Sequence, residues 1–120
     1  YRSEEIMQEG KNKLLSLLND FKNIKINDQS LIWNTEVIEA LELKNLLSQA
    51  IVSVDSALNR KESRGAHSRI DYSKRDDKKW LKHSLIWVNQ DGKTETRFRK
   101  VNLQTNSKEI KTIEPKARVY

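Results

Sequence analysis

Cysteine is absent from this 120-residue chain, proline occurs once, as Pro115, and glycine three times, as Gly10, Gly65 and Gly92. Without cysteine there is no disulfide framework and no thiolate metal site, and the composition is compatible with a reducing compartment. Three glycines this far apart cannot build a glycine-rich strand-to-helix turn, the loop whose backbone amides approach a dinucleotide pyrophosphate. No apolar run reaches the ~20 residues of a membrane span. The start, Tyr1-Arg2-Ser3-Glu4, has no signal-peptide character. The first residue is not methionine, which leads us to expect a piece of a longer chain.

Charge is what the chain has in quantity: 33% of residues are charged against 36% hydrophobic. At this length the expectation is one domain near the small end for a self-sufficient core, with a partner surface completing its burial. The net charge of +6 is uneven, with seven Lys/Arg against nine Asp/Glu in residues 1–60 and sixteen against eight in residues 61–120. A basic second half suits nucleic acid, an anionic membrane surface or an acidic neighbouring domain.

The period of the apolar residues changes along the chain. Ser3, followed by Glu4 and Glu5, is a helix start, because a hydroxyl caps free amides and acids favour the positive end of the helix dipole. Met7, Leu14, Leu17, Leu18 and Phe21 then share a stripe, with Gly10 completing the spacing and implying close approach of another helix. After a polar connector from Ile24 to Ser30, Asn34 is a second N-cap, and Trp33 is placed to pack on Ile38 as a hydrophobic staple. Ala40, Leu43, Leu47, Ala50, Val54 and Ala57 form one seam of this helix; Val37, Leu41, Leu46, Ile51 and Leu58 form a second set. A helix apolar on more than one face calls for a third helix, a larger body or a second copy of the chain. Further on, Ser84–Val88 reads as a strand, Asp91-Gly92 as a hairpin turn, and Thr94–Val101 alternates. Asn102–Tyr120 reads as an extended tail.

The fold class is therefore mainly α with a small β part: two long antiparallel helices, an irregular segment and a β-hairpin. We divide the chain into a helical segment 1–61, a junction 62–83, and a hairpin with tail 84–120. The junction holds both histidines and the densest charge. His67, Arg64, Arg69 and Asp71 are the residue types of a general base, anion-binding guanidiniums and an orienting carboxylate, or of a charge network that fixes irregular backbone. His67 and His83, with Asp71, Asp76 and Asp77 nearby, match no zinc spacing. Arg64, Arg69, Lys74, Arg75, Lys78, Lys79 and Lys82, interleaved with Tyr72, Trp80 and Trp87, have the composition of a nucleic-acid surface, yet the same run carries acids that would repel phosphate. His83 is expected to be packed or hydrogen-bonded at the start of the first strand.

The run Arg60-Lys61-Glu62-Ser63-Arg64-Gly65-Ala66-His67-x-Arg69-x-Asp71-Tyr72, followed by Arg75-Asp76-Asp77-x-x-Trp80-x-Lys82-His83, resembles the C-terminal region of the flavoprotein subunit of succinate dehydrogenase and fumarate reductase. Supporting matches lie at Trp33-Asn34-Thr35, at Leu41-Glu42-Leu43-x-Asn45-Leu46-Leu47 and at Ala117-Arg118-Val119-Tyr120; Ile70 and Ser73 depart from the family pattern. The resemblance implies a parent that oxidises succinate to fumarate with FAD and passes electrons to an iron–sulfur subunit and a membrane quinone. It implies catalytic residues and covalent flavin attachment outside this chain, so this segment would have no catalytic, cofactor-binding or metal residues of its own. It implies that Arg64, Gly65, His67, Arg69, Asp71, Asp76, Asp77, Trp80 and His83 serve the junction and domain docking. Implied partners are the flavin-binding and capping domains of the same subunit and the iron–sulfur subunit, not nucleic acid, with the membrane met only through the complex. The implied location is peripheral, on the cytoplasmic face of a bacterial inner membrane or on the mitochondrial matrix side.

Overall fold

The computed structural model describes residues 2–116. Two long helices, α1 (Glu4–Phe21) and α2 (Thr35–Asn59), are followed by a single-turn helix α3 (Asp77–Trp80) and by strands β1 (Lys82–Val88) and β2 (Thr94–Lys100). Both expected caps form: Ser3 Oγ accepts from the Ile6 amide at 3.4 Å and Asn34 Oδ1 from the Val37 amide at 3.0 Å. The matches at Ala117–Tyr120 lie outside the described residues.

The helices run antiparallel, with Lys11 of α1 paired to Asp55 near the end of α2, while Leu18 and Phe21 meet Ser48 and Ile51 around one cleft. Met7, Leu47, Ile51 and Leu58 form the buried apolar core. The buried row of α2 is Leu47, Ile51, Asp55 and Leu58; of the expected seam of Ala40, Leu43, Leu47, Ala50, Val54 and Ala57, Leu47 alone belongs to it. Ile51 and Leu58, from the second set, are buried, whereas Leu46 of that set is exposed. A second copy of the chain therefore cannot be met through Ile51. Leu17 is also exposed, and Leu15 packs in its place.

The hairpin joins α1 in covering the buried row. β1 and β2 pair antiparallel from Lys82↔Lys100 to Val88↔Thr94, so β1 begins two residues before Ser84. Thr94 Oγ1 donates to Asp55 Oδ2 at 2.5 Å, and Asn59 Nδ2 donates to Thr96 Oγ1 at 3.1 Å. Asn89 closes the turn by accepting from the amides of Asp91 and Lys93 at 3.0 and 2.8 Å. Gly92, at φ +77°, is the single positive-φ residue of the turn, the pattern of a three-residue hairpin loop ending in the left-handed region. A Cβ on Gly92 would lie 2.8 Å from both Leu15 and Leu18. The close approach expected at Gly10 thus occurs at Gly92, and a Cβ on Gly10 would meet nothing within 4 Å.

The staple does not form. Trp33 is 90% exposed and adopts φ +55°, and Ile38 is half exposed as well. Beyond β2 the chain carries no helix or strand through Lys116; Arg75 holds it by donating to the Lys116 carbonyl at 2.6 Å.

Candidate functional site

The irregular segment between α2 and β1 is built around a carboxylate with no solvent exposure, Glu62. Arg60 Nη1 and Arg64 Nε both donate to its Oε1 at 2.8 Å; Arg64 Nη2 and the Asp76 amide donate to Oε2 at 3.1 and 2.9 Å. A buried charge is costly unless paired and hydrogen-bonded, and here two guanidiniums and a backbone amide meet both oxygens. Arg60 also donates to the carbonyls of Trp80 and Lys82, so one planar fork ties the end of α2 to the start of β1. Arg64 Nη2 continues to Asp77 Oδ1 at 2.6 Å, and Arg75 Nη2 reaches Asp77 Oδ2 at 2.8 Å. Hydrogen bonding from Arg64, with Arg75 beside it, holds the Asp77 carboxyl below the usual range.

Arg69, 1% exposed, organises the other half. It grips Asp71 with two nitrogens, Nε to Oδ1 at 2.8 Å and Nη2 to Oδ2, while Nη1 donates to the Ala57 and Leu58 carbonyls at 3.2 and 2.9 Å. Those carbonyls belong to the last turn of α2, where acceptors lack intrahelical donors. Asp71 Oδ2 in turn accepts from the Glu4 amide at 2.9 Å, one of the free donors that open α1. Arg69 and Asp71 therefore join the C-terminus of α2 to the N-terminus of α1. The Arg69 hydrogen bonds, assisted by the Glu4 amide, hold the Asp71 carboxyl down at about 2.

The remaining junction residues shape the backbone. Gly65, at φ +57°, is in a tight turn closed by Arg64 and His67, whose backbones exchange hydrogen bonds of 2.8 and 3.0 Å. His67 Nε2 lies 3.0 Å from the Arg60 carbonyl and Nδ1 lies 3.4 Å from Arg2 Nη1. Asp76 caps α3, accepting from the Lys78 and Lys79 amides. Trp80 packs edge-on against Phe98 with centroids 5.9 Å apart, with Arg60 and Lys82 over its ring. His83 is exposed on β1 opposite Arg99, rather than packed.

Glu62, Arg60 and Arg75 are as central as the residues picked from the sequence, yet Glu62 and Arg60 entered the sequence reading only through the family run and Arg75 only as a candidate nucleic-acid contact. Their signal was density of opposite charge at i, i+2 spacing, which does not reveal which members are buried. Lys11 and Asp55 were missed for the same reason: their pairing spans 44 residues.

His67, Arg64, Arg69 and Asp71 do come close in space, but as partners in bonds that close on the chain itself. The nucleic-acid reading meets the same obstacle: Arg64, Arg69 and Arg75 face Glu62, Asp71 and Asp77, and Tyr72 lies under Arg69 and Lys61. Nor do the residues fit a flavin. The sheet is a two-stranded antiparallel hairpin, and the glycines occupy a helix interior, a tight turn and the hairpin loop, so the described residues form no strand-to-helix cradle for pyrophosphate. Among the described residues no three His, Asp or Glu side chains converge as metal ligands, and no helix is long and apolar enough to cross a membrane.

Comparison with known proteins gives one consistent result. The family described as fumarate reductase flavoprotein C-term matches residues 1–120. The succinate dehydrogenase flavoprotein subunit of Rickettsia bellii is 49% identical over the whole chain, which covers 20% of that protein. The mitochondrial succinate dehydrogenase [ubiquinone] flavoprotein subunit of Oryza sativa is 45% identical, with 19% of its length covered. Among solved structures, the FrdA chain of an E. coli quinol fumarate reductase superposes with a TM-score of 0.87 at 39% identity, over all of this chain and 20% of that one. The chain spans about a fifth of the length of the curated relatives it matches.

Proposed function

The chain belongs to the family of C-terminal domains of succinate dehydrogenase and fumarate reductase flavoproteins, and from that premise we propose that its task is mechanical rather than chemical. The parent subunit oxidises succinate to fumarate with FAD and passes electrons through an iron–sulfur subunit to quinone, as a peripheral component of a membrane-bound complex. This domain braces the flavin-binding and capping domains and contributes to the assembly surface. Segment 1–61 supplies the struts, 62–83 the locked joint and 84–120 the clasp. Arg64, Gly65, His67, Arg69 and Asp71 keep the joint in one shape, and together with Asp76, Asp77, Trp80 and His83 they present it to the neighbouring domains.

The observation that carries this reading is the closure of the charge network. A catalytic arginine needs donors directed at substrate, whereas Arg64 and Arg69 direct theirs at Glu62, Asp77, Asp71 and the end of α2. Preorganised donors used this way stabilise backbone geometry rather than a transition state.

The test uses the full flavoprotein subunit with its partner subunits. Arg64→Ala should lower the yield of assembled complex, while succinate oxidation per bound flavin, in both kcat and KM, stays at the wild-type value. A collapse of kcat per flavin in fully assembled complex would mean that the junction takes part in the chemistry, and the mechanical reading would fall.

A further inference from the structure

The loop between α1 and α2 inverts the ordinary arrangement of a surface loop. Leu31, Ile32 and Trp33 are 99, 76 and 90% exposed, and Ile38 and Leu41 on the adjoining face of α2 are half exposed or more. The loop's polar side chains bond to its own backbone. Glu36 accepts from the Asn27 and Asp28 amides at 2.9 and 2.7 Å, and Asn34 Nδ2 donates to the Asp28 and Ser30 carbonyls at 2.8 and 3.0 Å. These bonds leave the three apolar side chains on a held tip, with Trp33 in the left-handed region at φ +55°. A bulky residue is disfavoured there, and such strain persists where the surroundings over-determine it, often at ligand clamps and switch regions.

We propose that this tip is the seat on which the rest of the flavoprotein polypeptide docks, entering an apolar recess rimmed by cationic side chains. The inference rests on the assignment of the chain as one domain of a larger flavoprotein. In the relatives about four fifths of the polypeptide lies outside the matched region, ample to cover a patch that a lone domain would leave in water. The rim narrows the choice. Residues 24–42 carry Asp28, Glu36, Glu39 and Glu42 against Lys25 alone. That acidic surround is repelled by an anionic bilayer, and a twofold contact between two copies would set these acids against themselves.

A benzophenone side chain at position 32 of the full subunit, photolysed in the assembled complex and mapped by mass spectrometry, tests this. Cross-links to residues upstream of Tyr1 in the same polypeptide are expected, with none from the same probe at exposed position 108. Cross-links to a second copy, to lipid or to another subunit, or no cross-link at all, would overturn the proposal. In parallel, Ile32→Asp should raise hydrogen exchange at the amides of residues 29–33 in the full subunit; unchanged exchange counts against docking. Flavin absorbance and succinate oxidation are read on the same sample. Their absence refutes the parental assignment, whereas their presence without an upstream cross-link refutes the seat alone.

Discussion

Two irregular stretches of this chain solve opposite problems. In the junction after α2, charged side chains are inside: Glu62 and Arg69 are among the least exposed residues of the molecule. In the loop before α2, apolar side chains are outside, with Leu31 almost wholly in water. Both backbones are held by side chains of opposite or complementary polarity, guanidiniums in one and a carboxylate with a carboxamide in the other. The difference lies in what each finishes. The junction is complete within the chain, and every oxygen of its central carboxylate has a donor. The tip is complete only in its hydrogen bonds, and its burial is left to something else.

The comparison breaks most decisively at Glu62. Replacing it with alanine leaves Arg60 and Arg64 beside a void, and removing one member of a buried ion pair costs about 3–5 kcal/mol. Urea unfolding followed by tryptophan fluorescence should show that loss as a lower midpoint with an unchanged slope. A cost below about 1 kcal/mol would show the junction to be no more committed than a surface ion pair.

Arg69→Lys asks whether shape or charge matters. An ammonium cannot grip Asp71 with two nitrogens while reaching the Ala57 and Leu58 carbonyls, and hydrogen bonds to charged groups contribute about 1.5–3 kcal/mol. A loss of about 2 kcal/mol in the same unfolding assay is expected. Acid should act more gently on the same joint. Because Asp71 and Asp77 are held below their ordinary values by arginine, their contribution is full above about pH 4 and fades as pH falls toward the folded value of Asp71, about 2. Unfolding midpoints should decline through that window, and Asp71→Asn should flatten the decline.

The two stretches also differ in how far residues alone reveal them. Caps announce themselves locally, and Ser3 and Asn34 do in the structure what a short polar side chain before a helix can do. The staple at Trp33 failed because Asn34 is bonded to Asp28 and Ser30 as well as capping α2, and that loop geometry turns Trp33 outward. The buried row of α2 was disguised by Asp55. A carboxylate in the row breaks an apolar pattern, and its remedies, Lys11 and Thr94, lie 44 and 39 residues away. In the junction the family pattern marked the place, but the partners of each guanidinium depend on how the backbone folds back, which no periodicity encodes. Gly92 shows the same limit: its hairpin role was legible, and its contact with Leu15 and Leu18 was not.

The smallest effect sharpens the comparison most. If the tip is finished by a partner rather than by its own domain, Leu31→Ser and Ile32→Ser remove nothing that this fold uses, because neither side chain is buried in it. Surface substitutions away from caps and networks usually shift stability by no more than about 0.5 kcal/mol, and both should stay within that bound in the domain's own unfolding. A destabilisation of about 2 kcal/mol or more would place these side chains in a core of the chain's own making, at the scale of burying a Leu or Ile. The tip and the junction would then cease to be opposites.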